Sequence, residues 1–256
     1  MASVTIKSKD ELALMREAGR RNAEVRAILR EAIRPGVTGI ELDEIAKREI
    51  ARRDAQPTFV GYAPGGRPPY PGAICFSVNE ELVHGIPSQR VLQEGDIVSI
   101  DLGVTYRGFV SDAAFTAAVG HVPAKTADLL RVTDESLWAG IDQARAGGYL
   151  GDISAAIGAF GTRARYGIVE EYGGHGVGRE MHEPPHVPNF GRRGVGHKLK
   201  AGMVLALEPM FAIGRPATEE MPDRWTVRMS DGSLCAHFEE TVAITDDGPE
   251  VLTRIA

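Results

Sequence analysis

The chain has few cysteines, no long apolar run and no concentrated basic segment. Its 256 residues include two cysteines, Cys75 and Cys235. Two are too few for a disulfide framework or a cysteine-rich zinc module, so both should stay reduced. No apolar stretch approaches the ~20 residues of a membrane-spanning helix. The formal net charge is -6 and the basic residues are scattered, which argues against a nucleic-acid-binding protein.

Several functional signatures are missing as well. Residues 1–4 lack the charged-then-apolar layout of a signal peptide, so we expect a cytoplasmic protein. The sequence contains no phosphate-binding loop, no dinucleotide fingerprint and no serine nucleophile elbow. Hydrophobic residues make up 43% and charged residues 25% of the chain, as is ordinary for a globular enzyme.

The order of predicted elements occurs twice. Capping boxes at Ser8 and Thr38 open two helices, and strands are predicted at 73–78, 97–105 and 109–119. After Pro123 come a long helix that ends at 146–148 and a second helix. Further strands are then predicted at 203–211, 226–229 and 237–244.

A short internal repeat supports two similar halves. Gly95 matches Gly202 and Asp101 matches Glu208, each at a shift of 107 residues and with an apolar run between them. We therefore predict one α+β domain over residues 1–256, with pseudo-symmetric halves at about 9–122 and 123–252. Strands should lie in the middle and helices outside.

Asp101 and Asp112 are each set in an apolar strand. A turn centred between Tyr106 and Arg107 would make them direct cross-strand partners, on one face and about 5 Å apart if no bulge intervenes. Two buried like charges need a proton or a cation between them. The alternative is a pair of solvated or turn-capping aspartates, but the apolar flanks and the matching Glu208 favour the buried pair.

Further carboxylates and one histidine extend this candidate site. Glu208 ends an apolar strand, and strand alternation allows only one of Glu239 and Glu240 to face inward, without choosing between them. His175 lies among glycines that permit close backbone approach, although a turn histidine is the alternative. Four carboxylates and an imidazole suit a bridged pair of Mn, Fe, Co or Zn ions that activates water for hydrolysis.

The other histidines are less distinctive. His84 and His182 stand next to glycine or proline, and each is either an acid, base or hydrogen-bond donor or an ordinary surface histidine. No role is assigned to the remaining four, which are His121, His186, His197 and His237.

Six motifs together resemble the type I methionine aminopeptidases, which form subfamily A of peptidase family M24, in order and over nearly the whole chain. They are Val83-His84-Gly85-Ile86-Pro87, Ser99-Ile100-Asp101, Ser111-Asp112, Gly174-His175-Gly176-Val177-Gly178 with Met181-His182-Glu183-Pro184-Pro185, Leu207-Glu208-Pro209 and Phe238-Glu239-Glu240-Thr241. The resemblance implies the pseudo-twofold "pita-bread" fold, with a central antiparallel sheet and outer helices.

The resemblance also implies a dinuclear centre of divalent ions, of which Co, Mn, Fe or Zn are candidates. Its implied ligands are Asp101, Asp112, His175, Glu208 and Glu239. Asp112 and Glu239 would bridge both ions, and Glu239 is chosen because it directly follows Phe238. A metal-activated hydroxide would attack the carbonyl after methionine.

Catalytic and substrate-binding roles follow from the same resemblance. Glu208 would shuttle the proton, His182 would stabilise the tetrahedral intermediate, and His84 would contact the peptide beyond the scissile bond. The implied methionine pocket is lined by Tyr70, Cys75, Met181 and Trp225.

Three features depart from the family pattern. Met181 replaces a common phenylalanine, an extra Pro/Gly segment at 63–69 could reshape the pocket rim, and Glu240 stands where histidine is frequent. Replacement of that histidine is expected to matter little.

The implied substrates are N-terminal methionyl peptides of nascent chains with a small second residue, cut by a monomer that contacts the ribosome. One rival is a proline-directed peptidase of the same fold, but eight residues before the first helix leave no room for its N-terminal domain. Another is a metal-free relative that only binds peptides or ribosomes, yet all five ligand positions are filled.

Overall fold

The computed structural model describes residues 4–255. Three of the four residues from which we predicted that no signal peptide is present, residues 1–3, lie outside the described residues. The four helices are α1 Lys9–Ala32, α2 Gly39–Ala51, α3 Ala124–Ile141 and α4 Leu150–Ala164. The strands are β1 Gln56–Pro57, β2 Cys75–Val78, β3 Glu81–Val83, β4 Ile97–Tyr106, β5 Phe109–Ala118, β6 Gly167–Ile168, β7 Gly174–Gly176, β8 Glu183–Val187, β9 Val204–Leu207, β10 Met210–Ala212, β11 Thr218–Glu220, β12 Val227–Met229, β13 Cys235–His237, β14 Glu240–Thr245 and β15 Gly248–Val251.

Both predicted capping boxes are confirmed. Ser8 Oγ accepts from the backbone N–H of Glu11 at 3.3 Å, and the Glu11 carboxylate accepts from the Ser8 N–H at 2.9 Å. Thr38 and Glu41 make the same reciprocal pair at the start of α2. Each box satisfies backbone N–H groups that would otherwise be unpaired at the start of a helix. It thereby fixes the residue at which the helix begins.

The strands form antiparallel sheets. In the first half of the chain β4 pairs with β1, β2 and β5. In the second half a five-stranded sheet runs in the order β15-β14-β9-β7-β8. Two further three-stranded sheets have the orders β13-β10-β6 and β11-β12-β3. Apolar side chains of all four helices join those of the long strands in one large core cluster.

The predicted register of the β4–β5 hairpin is wrong, because the centre of the turn lies one residue later in the chain than predicted. Tyr106 pairs with Phe109, so the turn residues are Arg107 and Gly108, and both have positive φ (47° and 78°). Such a pair forms the two-residue turn that fits the twist of a hairpin. Asp112 therefore lies opposite Gly103.

Asp101 and Asp112 are in consequence diagonal neighbours rather than direct partners. Asp101 lies opposite Ala114, two positions along from Asp112. Since side chains two positions apart share a face of a strand, both aspartates still lie on the same face. Their Cα separation is then roughly 7–8 Å, which leaves room for a cation between the carboxylates.

Three other predicted boundaries also differ from the structure. The strand predicted at 203–211 is broken into β9 and β10 around Glu208 and Pro209, and proline cannot donate to a sheet ladder. The strand predicted at 237–244 is broken into β13 and β14 around Phe238 and Glu239. Helix α3 ends at Ile141, before 146–148, because the chain then continues in successive tight turns.

Strand β5 is joined to the segment between β13 and β14 by alternating backbone and threonine hydrogen bonds. Ala114 and Glu239 exchange both backbone hydrogen bonds, at 3.2 and 2.9 Å. Thr241 Oγ1 accepts from the Asp112 N–H at 2.9 Å and donates to the Asp112 carbonyl at 2.7 Å. We call these contacts the seam, because they bring carboxylates from distant parts of the chain together.

Within residues 4–255, every helix is too short or too polar to cross a lipid bilayer.

Candidate active site

A cavity of about 420 Å³ opens where the sheets meet. All eleven side chains that the sequence singled out line it: Tyr70, Cys75, His84, Asp101, Asp112, His175, Met181, His182, Glu208, Trp225 and Glu239. These residues span more than 160 positions of the chain, so the fold alone brings them together.

Carboxylates and one imidazole are clustered at the cavity wall. Asp112, His175 and Glu239 each offer a ligand atom, and the three atoms lie within 4.8 Å of one another. His175 Nε2 is 3.7 Å from Asp112 Oδ2 and 3.7 Å from Glu208 Oε1. Asp101 shares the Asp112 face of the β4–β5 hairpin. All five predicted ligands thus surround one region.

The carboxylates of this cluster are buried and short of partners. One oxygen each of Asp101, Asp112 and Glu239 is buried without a hydrogen-bond partner in the described part of the chain. Burial raises the pKa of Asp101 to about 6. Burial and the neighbouring carboxylates raise the pKa of Asp112 and of Glu239 well above the usual value.

A cation compensates the negative charge of these clustered carboxylates better than a proton does. Unpaired buried carboxylates cost free energy unless a positive charge or hydrogen bonds compensate them. Oxygen donors with one imidazole suit Mn, Fe, Co or Zn. The residues therefore fit a divalent metal centre.

His175 is positioned by the two glycines that flank it in β7. A Cβ atom on Gly174 would lie 2.3 Å from the Ala206 carbonyl oxygen, and one on Gly176 would lie 2.3 Å from that of Pro184. Only glycine permits this close packing of strands. His175 Nδ1–H donates to the Gly176 carbonyl at 2.9 Å. This bond leaves the Nε2 lone pair free to bind a cation.

Glu239 and Glu240 point in opposite directions, as strand alternation requires. Glu239 faces the cavity, whereas the Glu240 carboxylate lies 2.8 Å from Arg26 Nη2 and also accepts from the Thr253 hydroxyl. Glu240 thus has its own buried partners on the side of α1, and Arg26 compensates its charge.

His84 and His182 both lie on the cavity wall. The His175 and His182 rings are 4.4 Å apart, and Tyr62 Oη is hydrogen-bonded to His182 Nδ1 at 2.8 Å. His84 packs edge-on against Trp225. Burial lowers the pKa of His84 to about 4, and enclosure by protein atoms also lowers that of His182. Both imidazoles are neutral at physiological pH.

The predicted methionine pocket is an apolar wall of the same cavity. Tyr70, Cys75, Met181 and Trp225 are each at most 6% exposed and belong to one apolar cluster. Tyr70 Oη donates to the Gly85 carbonyl at 2.7 Å, which fixes the ring. Burial raises the pKa of the Cys75 thiol well above its usual value, so the thiol is a neutral wall group.

The extra segment at 63–69 contacts the pocket residue Trp225. Trp225 Nε1 donates to the Pro68 carbonyl at 2.9 Å, and the Arg67 guanidinium lies 5.4 Å from the centre of the Trp225 ring. Arg67 also forms an ion pair with Glu220 of β11. These contacts help to fix the indole of Trp225.

The cavity is also lined by residues to which the sequence motifs give no role, and His237 and Tyr62 are among them. His237 was assigned no role, yet it lines the cavity and is 2% exposed. Its position two residues before Glu239 could have revealed it, because period-two alternation places both on one face. Tyr62 also lines the cavity, but no sequence pattern distinguished it. Of the other three histidines, only His186 reaches the cavity wall.

Comparison with known proteins points to a metallopeptidase, in agreement with the candidate metal centre. Metallopeptidase family M24 matches residues 13–246. The methionine aminopeptidase of Clostridium acetobutylicum is 47% identical over 251 residues, 98% of each chain. The solved methionine aminopeptidase of Thermotoga maritima has a TM-score of 0.95 at 40% identity, covering 99% of this chain and 100% of that one.

A more distant neighbour shows how far the fold extends. The prolidase of Pyrococcus furiosus shares the fold with a TM-score of 0.76 and 23% identity, but this chain covers 66% of it. The predicted α+β pita-bread class is confirmed. The chain therefore belongs to metallopeptidase family M24, and within that family to the methionine aminopeptidases.

Proposed function

We propose that this protein removes the N-terminal methionine from new polypeptides whose second residue is small. The observation that carries the proposal is the cluster of Asp112, His175 and Glu239 beside an apolar pocket in one cavity. A charged, metal-binding wall next to an apolar pocket suits hydrolysis of a peptide bond that follows an apolar residue.

Five side chains would hold two divalent ions: Asp101, Asp112, His175, Glu208 and Glu239. Asp112 and Glu239 offer ligand atoms that lie within 4.8 Å of one another and of His175, and would therefore help to hold the ions. Divalent ions supply Lewis-acid chemistry, because they polarise a carbonyl and make water nucleophilic at neutral pH.

Glu208 is suited to move the proton. Burial alone would raise its pKa, but the neighbouring His237 and His175 outweigh that effect and lower the pKa. Glu208 is therefore a carboxylate at neutral pH and can accept the proton of the attacking water. The same carboxyl group would then deliver the proton to the departing amine.

His182 and His84 would act on the substrate from the cavity wall. The bond between Tyr62 Oη and His182 Nδ1 leaves Nε2 as the nitrogen that reaches the substrate. Through Nε2–H, His182 would donate to the oxyanion of the tetrahedral intermediate. His84, packed against Trp225, would contact the peptide beyond the scissile bond.

The pocket explains a preference for methionine. Tyr70, Cys75, Met181 and Trp225 offer aromatic and sulfur-bearing surfaces, which pack well against a flexible thioether. The substrate's free amino group would lie among the carboxylates, so internal residues would not be cut.

We further propose a cytoplasmic monomer in which residues 1–256 form one catalytic domain with halves at about 9–122 and 123–252. Nascent methionyl peptides would be its substrates, met at the ribosome.

Methionine release from Met-Ala-Ser tests the activity. Purified protein with Mn or Co should release methionine from this peptide, but not from a peptide with a bulky second residue. Equal release of other N-terminal residues would overturn the assignment in favour of another peptidase. No release with any of Mn, Co, Fe or Zn would instead indicate a peptide-binding relative.

A further inference from the structure

His237 presents an unexplained imidazole at the wall of the metal site. Its side chain is 2% exposed, and neither Nδ1 nor Nε2 has a hydrogen-bond partner among residues 4–255. Buried polar groups are hydrogen-bonded in the large majority of cases. A buried ring with two unpartnered nitrogens therefore points to a function that involves a neighbouring group.

The backbone of His237 is held rigidly. Thr116 Oγ1 accepts from the His237 N–H at 2.9 Å and donates to the His237 carbonyl at 2.8 Å. Residue 237 also pairs with Met210 in the β13–β10 ladder. The main chain of His237 is therefore fixed beside the seam, and its ring lies against Glu208 and Glu239.

Two carboxylate oxygens lie close to the ring. His237 Nε2 lies 3.4 Å from Glu208 Oε2 and 3.8 Å from Glu239 Oε2. Movement of a few tenths of an ångström brings the first pair within the 2.7–3.2 Å of an ordinary N–H···O bond. The second pair is further from that range.

Glu208 consequently lies between two imidazoles. Its Oε1 is 3.7 Å from His175 Nε2, and its Oε2 faces His237. The Glu208 side chain is 13% exposed whereas that of His237 is 2% exposed, so the carboxylate stands nearer the cavity and the ring lies behind it. A group behind a ligand orients it rather than replacing it.

We infer that His237 is a positioning residue, whose Nε2–H donates to Glu208 Oε2 and turns the other oxygen towards the metal site. The inference rests on the metal centre of the proposed function and adds to it a residue that determines how tightly metal binds. The imidazole also donates a hydrogen bond that holds the Glu208 carboxylate in one orientation. A carboxylate that shuttles a proton needs such a fixed orientation.

Three substitutions separate hydrogen bonding from simple packing. The amide nitrogen of His237→Gln occupies the place of Nε2, whereas that of His237→Asn occupies the place of Nδ1. His237→Leu keeps the bulk and removes both donors. The matched control is His197→Leu, since His197 is an exposed loop residue away from the cavity. Thermal unfolding of each metal-free variant checks the fold.

The measurement is the Kd for Co²⁺ and Mn²⁺, obtained by titration of metal-free protein. We expect His237→Leu and His237→Asn to bind roughly 10–100-fold more weakly than wild type. His237→Gln should stay within about threefold of wild type, because its amide restores the bond to Glu208. His197→Leu should match wild type.

Two results would overturn the inference. Unchanged Kd values in both the Leu and Asn variants would show that the ring contributes nothing to metal binding. Equal weakening in the Gln and Leu variants, with loss of one set of hyperfine-shifted imidazole protons from the NMR spectrum of the Co²⁺ protein, would make His237 a direct ligand. If wild type itself bound no metal, the proposed function would fail, and not only the inference about His237. The titration of wild type therefore distinguishes the two failures.

Discussion

At the scale of single residues, Asp112 combines burial with crowding by like charges. It is 2% exposed, and Asp101 and Glu208 both act to raise its pKa. A negative charge at this position therefore destabilises the folded protein when no cation is bound, and stabilises it when one is.

Asp112→Asn tests this balance. The amide keeps the shape but removes the charge, so metal-free protein should unfold at the same or a higher temperature than wild type, because a repulsion is gone. Addition of Mn²⁺ should raise the unfolding temperature of wild type and leave the variant unchanged. Thermal unfolding with and without MnCl₂ makes the comparison, and a variant that keeps two bound ions and full turnover contradicts the ligand assignment.

Tyr62 is expected to affect catalysis through His182, to which it is hydrogen-bonded. Removal of its hydroxyl in Tyr62→Phe breaks the 2.8 Å bond to His182 Nδ1, so the imidazole loses its orientation. A hydrogen bond worth about 1 kcal/mol corresponds to an approximately fivefold lower kcat, with little change in KM.

Steady-state kinetics on Met-Ala-Ser measures the effect of Tyr62→Phe. Tyr166→Phe is the control, because the Tyr166 hydroxyl donates to Asp128, away from the cavity lining. An unchanged kcat in Tyr62→Phe, or a change confined to KM, would show that His182 is held by other contacts.

At the scale of secondary-structure elements, the loop that carries His182 is held by one buried ion pair. Lys7 Nζ lies 2.8 Å from Glu183 Oε2, with side chains 5% and 9% exposed. The other Glu183 oxygen accepts from the backbone N–H groups of Arg179 and Glu180. The segment before α1 thus anchors the loop at one side of the active site.

Lys7→Met should lower the free energy of unfolding by about 1–3 kcal/mol at pH 7, since Glu183 keeps its other donors. Burial would raise the pKa of Glu183, but Lys7 and Thr5 outweigh it, so the folded-state pKa lies below the unfolded value of about 4.3. The stabilisation is complete above that value and is lost as the pH falls through the folded-state pKa.

Urea unfolding at neutral and at acid pH measures both effects. The difference between wild type and Lys7→Met should therefore shrink as the pH falls. Lys9→Met is the control because Lys9 is exposed at the start of α1. A difference that is the same at pH 7 and pH 3 would rule out the ion pair as its source.

At the scale of the whole molecule, the seam decides whether carboxylates from two sheets meet. Asp112 belongs to the β4–β5 hairpin and Glu239 to the junction of β13 and β14, 127 positions later in the chain. Backbone bonds at Ala114 and the hydroxyl of Thr241 fix their relative position.

Thr241→Val keeps the side-chain shape but leaves the Asp112 N–H and carbonyl unpaired in a fully buried place. We expect the unfolding free energy to fall by about 2–4 kcal/mol. The affinity for Mn²⁺ should fall as well, because the Asp112 and Glu239 carboxylates are no longer held at a fixed distance.

Thr133→Val provides the control for Thr241→Val. Thr133 is equally buried, but its hydroxyl donates to the Leu129 carbonyl within α3, so its loss should reduce stability and leave metal affinity unchanged. Equal metal affinities in the two variants would show that the seam does not set the geometry of the site.

Local patterns in the sequence determined the elements that depend on near neighbours. The capping boxes at Ser8 and Thr38, the apolar strands around Asp101 and Asp112 and the glycines beside His175 all act within a few residues, so each was predictable. The site residues followed because the family motifs are dense, and all eleven line one cavity.

Only the tertiary structure decided the features that depend on contacts between distant segments. The breaks at Glu208 and Glu239 arise where strands leave one sheet for another. The contact of His237 with Glu208 has the same origin: Glu208 lies 29 positions earlier in the chain, and the spacing of His237 to Glu239 does not report that distance.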